Sequence, residues 1–318
     1  MKKDWGHESV LTDKVLEAFG LAGVAPLNTQ ALSDLSYYRM TIIDATLGAA
    51  GHTLEFIKRG CFVLGIERDP EMLEVAKRRL IQACPPHLFE KVGPYKLVSG
   101  NFKDTSKIAE GNDLAEADGI LFDLGIASNQ LASDRGFSFQ EESTPLDMRM
   151  NKDTQSVKAL DLLNALPEDK LEKLFSVTMA NSDANRLAKA VVRERRTNKF
   201  KEVKDLTVVL NETVKRGKKR SLHPATLPFL ALRIAVNSEL EDLRKALSDS
   251  FGVLAKKGRL AVISFHSGED RIVKEFFKSK EKEGVGRLVT NDPIQPTDNE
   301  IKSNPRAKSA KMRVIEKI

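Results

Sequence analysis

The stretch Thr41-Ile42-Ile43-Asp44-Ala45-Thr46-Leu47-Gly48-Ala49-Ala50-Gly51-His52 decides the fold. Its first four residues read as a buried strand, a short apolar run ending in an acid. Small residues follow, and residues 53–58 begin a helix. Such a turn lets a ligand come close to the backbone and to the free N–H groups of the helix. A dinucleotide fingerprint needs the three glycines of G-x-G-x-x-G. Only Gly48 and Gly51 stand here, which makes a nicotinamide dinucleotide a poor fit.

Outward from this turn the unit repeats. Residues 61–66 form a second apolar strand, followed by the acid Glu67. Asp69-Pro70-Glu71 has the pattern of a helix start: an N-cap acid, proline at N1 and an acid in the first turn. Met72, Val75, Ala76 and Leu80 then share one apolar face. Residues 95–99 and 118–123 read as the third and fourth strands. Continuous apolar strands alternating with helices imply a mostly parallel sheet, covered on both faces. Ligands of such sheets bind beyond the carboxyl ends of the strands, where Asp44, Glu67 and Asp123 stand. Glu67 is suited to accept both hydroxyls of a ribose, which favours a nucleoside without a pyrophosphate. Asp123 fits a ligand contact, or equally a helix cap or loop salt bridge.

The pattern changes after residue 132. Residues 133–222 show polar loops and helical segments, such as 168–177 and 184–196, with no convincing buried strand. A long helix is expected after Pro224, because Phe229, Leu232, Val236, Leu240, Leu243 and Leu247 form one apolar stripe. Strands at 259–265 and 312–316 then resume the sheet, with a helix through Ile272, Val273, Phe276 and Phe277 between them. The expected organisation is a first sheet segment at 1–132, a helical insertion at 133–222 and a second sheet segment at 223–318.

The 318 residues carry 51 Lys and Arg against 45 Asp and Glu, a net charge of +6, with 41% apolar and 30% charged residues. No apolar run approaches the ~18 residues a membrane helix needs. Two cysteines supply neither a disulfide framework nor a metal cluster, so no metal is expected. With no apolar leader at the N-terminus, a soluble cytoplasmic protein is expected. Lys and Arg concentrate at 193–196, 215–220 and 306–313, as phosphate contacts require.

Two further groups carry chemistry. In Ser264-Phe265-His266-Ser267-Gly268-Glu269-Asp270-Arg271, His266 suits a proton acceptor or a base-contacting donor. Ser267, Glu269 and Asp270 equally suit an N-cap with first-turn acids. In Arg135-Gly136-Phe137-Ser138-Phe139, an Arg beside two aromatics can stack on and neutralise a nucleotide, or simply pack a loop.

These motifs, together with Pro145-Leu146-Asp147-Met148-Arg149-Met150, His223-Pro224-Ala225-Thr226 and Val236-Asn237-Ser238-Glu239-Leu240, resemble one family nearly end to end. The chain is similar to the bacterial 16S rRNA cytosine N4-methyltransferases of the MraW type, which modify cytidine 1402 of the decoding centre. The resemblance implies a class I, Rossmann-like methyltransferase fold with an inserted helical domain. It implies S-adenosylmethionine (SAM) as cofactor, bound by Ala50, Gly51, His52, Glu67, Phe102, Asp123 and Gln130. It implies 16S rRNA or the small ribosomal subunit as partner, gripped by the insertion, and no membrane. Asp123, His266 and Asp270 are the expected catalytic residues, and Phe137 or Phe139 the expected stacking partner of the cytosine. The family usually has Gly in place of Ala50 and Asp in place of Glu67. An amino-methyltransferase on another RNA or DNA, and a non-catalytic rRNA-binding assembly factor, remain open, as does the oligomeric state, a homodimer included.

Overall fold

The computed structural model describes residues 9–28, 31–32, 38–85, 93–213 and 223–318. The basic run 215–220 lies outside them. The chain divides into two compact units, Met1–Ala127 with Glu241–Ile318, and Ser128–Leu240. None of the described helices is long and apolar enough to cross a membrane.

The first unit is built on seven strands: β1 (Thr41–Asp44), β2 (Phe62–Glu67), β3 (Tyr95–Ser99), β4 (Ala117–Asp123), β5 (Leu254–Ser264), β6 (Gly286–Leu288) and β7 (Lys311–Lys317). Their order across the sheet is β3-β2-β1-β4-β5-β7-β6. The first five run parallel, and β7 is antiparallel to both of its neighbours. Ile42, Ile43, Val63, Leu64, Ile120 and Leu121 are fully buried, as strands covered on both faces must be. Helices α1 (Thr12–Ala18), α2 (Gly51–Ile57), α3 (Pro70–Ala83) and α4 (Thr105–Glu110) belong to this half of the sheet. The α3 start is as expected: Asp69 Oδ1 accepts from the Glu71 N–H at 3.0 Å and Pro70 opens the helix. Packing also selects residues within strands. A Cβ at Gly119 of β4 would lie 2.6 Å from the Phe19 ring of the α1 segment, so only glycine fits there.

The second unit is helical: α5 (Ser128–Leu131), α6 (Ala159–Ala165), α7 (Glu168–Ser176), α8 (Asn181–Glu194), α9 (Val203–Thr213) and α10 (Thr226–Asn237). The expected boundaries at 132/133 and 222/223 thus differ from the observed 127/128 and 240/241. The reason is a break inside the apolar stripe. Ser238 adopts a left-handed conformation (φ 53°, ψ 34°) and ends α10; α11 (Glu239–Val253) begins at the next residue. Phe229, Leu232 and Val236 serve the helical unit, whereas Leu243 and Leu247 are buried in the sheet unit. One left-handed residue leaves the apolar spacing intact, so periodicity alone cannot reveal it. Arg233 and Glu239 straddle the break in a bidentate pair, with Nε–Oε1 and Nη2–Oε2 both at 2.9 Å.

After α11 the chain completes the sheet unit through α12 (Ser267–Lys282) and α13 (Asp298–Ser303). Within β5 the pairing with β4 shifts register, so that the regular parallel part runs from Arg259 onward. Lys257, with φ 66°, stands at this irregularity. The short edge strand β6 carries no sequence signal strong enough to predict.

Candidate active site

The strand order reverses direction between β1 and β4, which places a crevice beyond their carboxyl ends. Asp44 ends β1, Glu67 ends β2 and Asp123 ends β4. Asp44 is 1% exposed, and its Oδ2 accepts from the Thr53 hydroxyl at 2.6 Å. His52, buried in the first turn of α2, sets its Nε2 3.4 Å from Asp123 Oδ2. The Asp123 backbone N–H donates to Thr46 Oγ1 at 2.6 Å, fixing the strand end against the first loop.

Four atoms of this group, Asp44 Oδ1, Asp123 Oδ1 and both ring nitrogens of His52, are buried without a hydrogen-bond partner, His52 Nε2 only approaching Asp123 Oδ2 at 3.4 Å. Buried polar groups are normally satisfied, so atoms left open beside a crevice point to a ligand that completes them. The electrostatics are consistent with this. Burial raises the Asp44 carboxyl above its ordinary value, partly offset by the Thr53 hydroxyl and His52. Burial also disfavours charged His52, but the neighbouring carboxyl groups of Asp123, Asp44 and Glu55 outweigh it and move the imidazole upward.

Glu67 ties the two loops together. Its Oε2 accepts from the Gly48 N–H and its Oε1 from the Asp69 N–H, both at 2.8 Å. With the Arg68 N–H as a third backbone donor, the carboxyl still has lone-pair capacity for a ligand donor. Burial pushes this carboxyl up to about 7, against the lowering effect of those backbone donors. For folding, an acid raised in this way contributes most below its ordinary value, and that contribution is lost as pH rises to about 7. For a ligand donating hydroxyls, the sign is opposite, because such donors favour the ionised form. Affinity for S-adenosylhomocysteine (SAH) is therefore expected to fall about tenfold per pH unit below 7 and to flatten above it. Calorimetric titration between pH 6 and 8 checks this, with Glu67→Gln as the variant that loses the slope. A flat wild-type profile would contradict the assignment.

The first loop is shaped for close approach. Gly48 has φ 52°, and Ala50, fully buried, has φ 59° and ψ 33°. A non-glycine residue in this region costs about 1–2 kcal/mol. A buried methyl returns about 0.8 kcal/mol, and alanine restricts the unfolded chain, which together offset most of that cost. Gly51 has no such freedom to change: a Cβ there would collide with the Ser9 hydroxyl. Arg79 Nη1 closes the loop by donating to the Ala49 carbonyl at 2.9 Å.

The sequence matches the MraW methylase family over residues 4–318. The chain belongs to the MraW methylase family. Relatives named ribosomal RNA small subunit methyltransferase H include one from Persephonella marina, 38% identical over 87% of this chain and 92% of its own length. The relative from Natranaerobius thermophilus is 35% identical over 99% of this chain and 98% of its own. Among solved structures, an rRNA methylase from Streptococcus thermophilus aligns at 10% identity with a TM-score of 0.41, covering 90% of this chain and 92% of that one.

Within this MraW methylase, Phe102 opens a short 3-10 turn (Phe102–Asp104) after β3, edge-on to Phe122 of β4 at 5.7 Å. The sheet unit therefore brings Ala50, Gly51, His52, Glu67 and Asp123 to one strand-end region, and places Phe102 just past the end of neighbouring β3. Gln130 is buried on α5 and belongs to the helical unit.

Glu269 and Asp270 stand in the first turn of α12, as the capping alternative expected, and His266 has a structural duty that the sequence reading did not assign. His266, not Ser267, is the N-cap of α12. Its Nδ1 accepts from the Gly268 and Glu269 N–H groups at 3.2 and 3.4 Å, and the Glu269 carboxylate reaches back to Phe265 and His266. Asp270 is held by Arg313 of β7, with Oδ1–Nε at 2.7 Å and Oδ2–Nη2 at 3.3 Å. Both oxygens of the Asp270 carboxyl are thus engaged by one guanidinium, which argues for a structural role.

In the helical unit, Phe137 is 6% exposed beneath the Arg135 guanidinium, which lies 5.4 Å from its ring centre. It is a core residue and not a platform for a base. Phe139 stacks on His223 at 4.6 Å with the rings 6° apart. The basic run at 193–196 also divides. Arg195 Nη1 is spent on the Leu163 and Leu166 carbonyls at the end of α6, while Arg193 and Arg196 are exposed. Sequence reasoning gave Asn237 no role beyond its place in a motif and passed over Asp242, both buried polar residues with partners distant in the chain.

Proposed function

We propose that this MraW methylase binds SAM across the carboxyl ends of β1, β2 and β4 and methylates N4 of cytidine 1402 in 16S rRNA of the small ribosomal subunit. The observation that carries the reading is Asp123 at the strand-order reversal, part-buried, facing His52 and holding an Oδ1 with no partner. The printed names of the relatives, ribosomal RNA small subunit methyltransferase H, support an rRNA substrate. The residues present suit a nucleoside sulfonium. Glu67 has lone pairs for a ribose diol, Phe102 offers a ring edge for adenine, and the loop without a third glycine lacks a pyrophosphate cradle.

SAM, when bound, supplies an electrophilic methyl group on a positively charged sulfur. The chain supplies position and proton acceptance. The N4 lone pair of cytosine is delocalised into the ring, so the amino group must be held as a near-attack nucleophile. Asp123 Oδ1 would accept a hydrogen bond from N4–H and take the N4 proton once the amino group is alkylated. His52 keeps the carboxylate oriented through Oδ2. The target cytidine must be unpaired or flipped out to reach this depth. Arg193 and Arg196, with Lys199, are the exposed cations of the helical unit that we assign to phosphate contacts. A cytoplasmic location follows from the rRNA substrate.

The test is to incubate the protein and labelled SAM separately with small ribosomal subunits, free 16S rRNA and DNA, then map the product by mass spectrometry. N4-methylcytidine at position 1402 is the expected result. Methyl transfer to another base or to DNA would replace the substrate, and SAM binding without transfer would favour an assembly factor.

A further inference from the structure

Asp242, on α11, is 6% exposed and lies among groups from two separate loops. Its Oδ2 accepts from Asn101 Nδ2 at 2.6 Å and lies 3.5 Å from Arg68 Nη1. Its Oδ1 is 3.4 Å from Lys103 Nζ. Arg68 directly follows Glu67 at the end of β2. Asn101 and Lys103 flank Phe102 after β3. Asn101 Oδ1 accepts from the Lys103 N–H at 3.1 Å, so the same side chain that meets Asp242 also caps the turn carrying Phe102. One helical turn on, Lys245 of α11 donates to the Lys103 carbonyl at 3.0 Å and to Asp104 Oδ1 at 2.7 Å.

We propose that Asp242 is a positioning residue for the nucleoside half of the cofactor pocket, fixing through one carboxylate the two loops that carry Glu67 and Phe102. This rests on the reading of Glu67 and Phe102 as nucleoside contacts. A buried carboxylate costs several kcal/mol of desolvation unless cations and donors surround it. Here they are drawn from both loops, so satisfying Asp242 requires the loops to be in register with each other. Groups behind a site that orient the contacting residues set affinity without touching ligand, and an ångström of misplacement is costly.

Asp242→Asn keeps the shape and an acceptor for Asn101 but removes the charge that gathers Arg68 and Lys103. The expected result is an SAH dissociation constant about tenfold higher by calorimetry. The KM for SAM should rise in parallel, with kcat changed less than about twofold. Arg68→Gln should weaken binding about threefold in the wild-type background and add little in Asp242→Asn, since both remove the same link. A role confined to stability would lower the melting temperature and leave the dissociation constant of the folded fraction unchanged. That outcome, with Glu67→Gln still weakening SAH, overturns the proposal alone. If neither Glu67→Gln nor Asp242→Asn weakens SAH, the pocket assignment itself fails. Should Asp242→Asn not fold, Arg68→Gln and Lys245→Ala decide: unchanged SAH binding in both overturns the proposal.

Discussion

Asp123→Asn is expected to reduce methyl transfer about 10³-fold, an increase of about 4 kcal/mol in the barrier, while SAH binding changes far less. The substitution preserves volume. The backbone contacts of Asp123, its parallel pairing with Ile263 and its N–H bond to Thr46, do not involve the side chain. What disappears is a part-buried carboxyl group whose Oδ1 is without a partner and whose Oδ2 faces His52. An amide oxygen can still accept a hydrogen bond from N4 but cannot take its proton. Single-turnover transfer of a labelled methyl group, with SAH calorimetry on the same preparation, separates chemistry from binding. Activity within tenfold of the parent protein would show that the proton goes elsewhere.

Asn237→Ala is expected to cost about 3–4 kcal/mol of stability in the helical unit. Asn237 is fully buried at the end of α10, and all of its side-chain capacity is used. Oδ1 accepts from the Met150 N–H and from Gln155 Nε2, both at 3.0 Å. Nδ2 donates to the Met148 carbonyl at 2.8 Å and the Arg233 carbonyl at 2.9 Å. These bonds hold the 145–150 segment, where Met148 has φ 60° and Asp147 forms a bidentate pair with Arg149. Alanine would leave two donors and two carbonyls without this partner, at up to about 1 kcal/mol each. Such a loss is a large fraction of the about 5–15 kcal/mol by which domains are ordinarily stable. Urea unfolding followed by a probe in the helical unit measures it, and a loss under 1 kcal/mol would show that water replaces the side chain.

The two residues differ in how far sequence could find them. Asp123 ends an apolar run, and an acid at the end of a parallel strand is a local signal with a topological meaning. Asp44 and Glu67 are legible for the same reason, and Asp69-Pro70-Glu71 marks its helix start by capping chemistry within three residues. Asn237 is a buried polar residue inside an apolar helical stripe, and three of its four partners lie on another segment. Nothing near it in the chain announces four hydrogen bonds.

The sequence by itself determined the strand-turn-helix alternation, the acids at strand ends and the absence of a pyrophosphate loop, since period, capping and turn chemistry act over a few residues. Tertiary structure alone decided the break at Ser238, the assignment of His266 to a cap and the commitment of Asp270 to Arg313. It also decided the pairing of His52 with Asp123 and the gathering of two loops around Asp242. Each of these depends on which distant groups compete for one buried donor or acceptor. That competition is settled only when the sheet order and the helix that follows the break bring the candidates within hydrogen-bond reach.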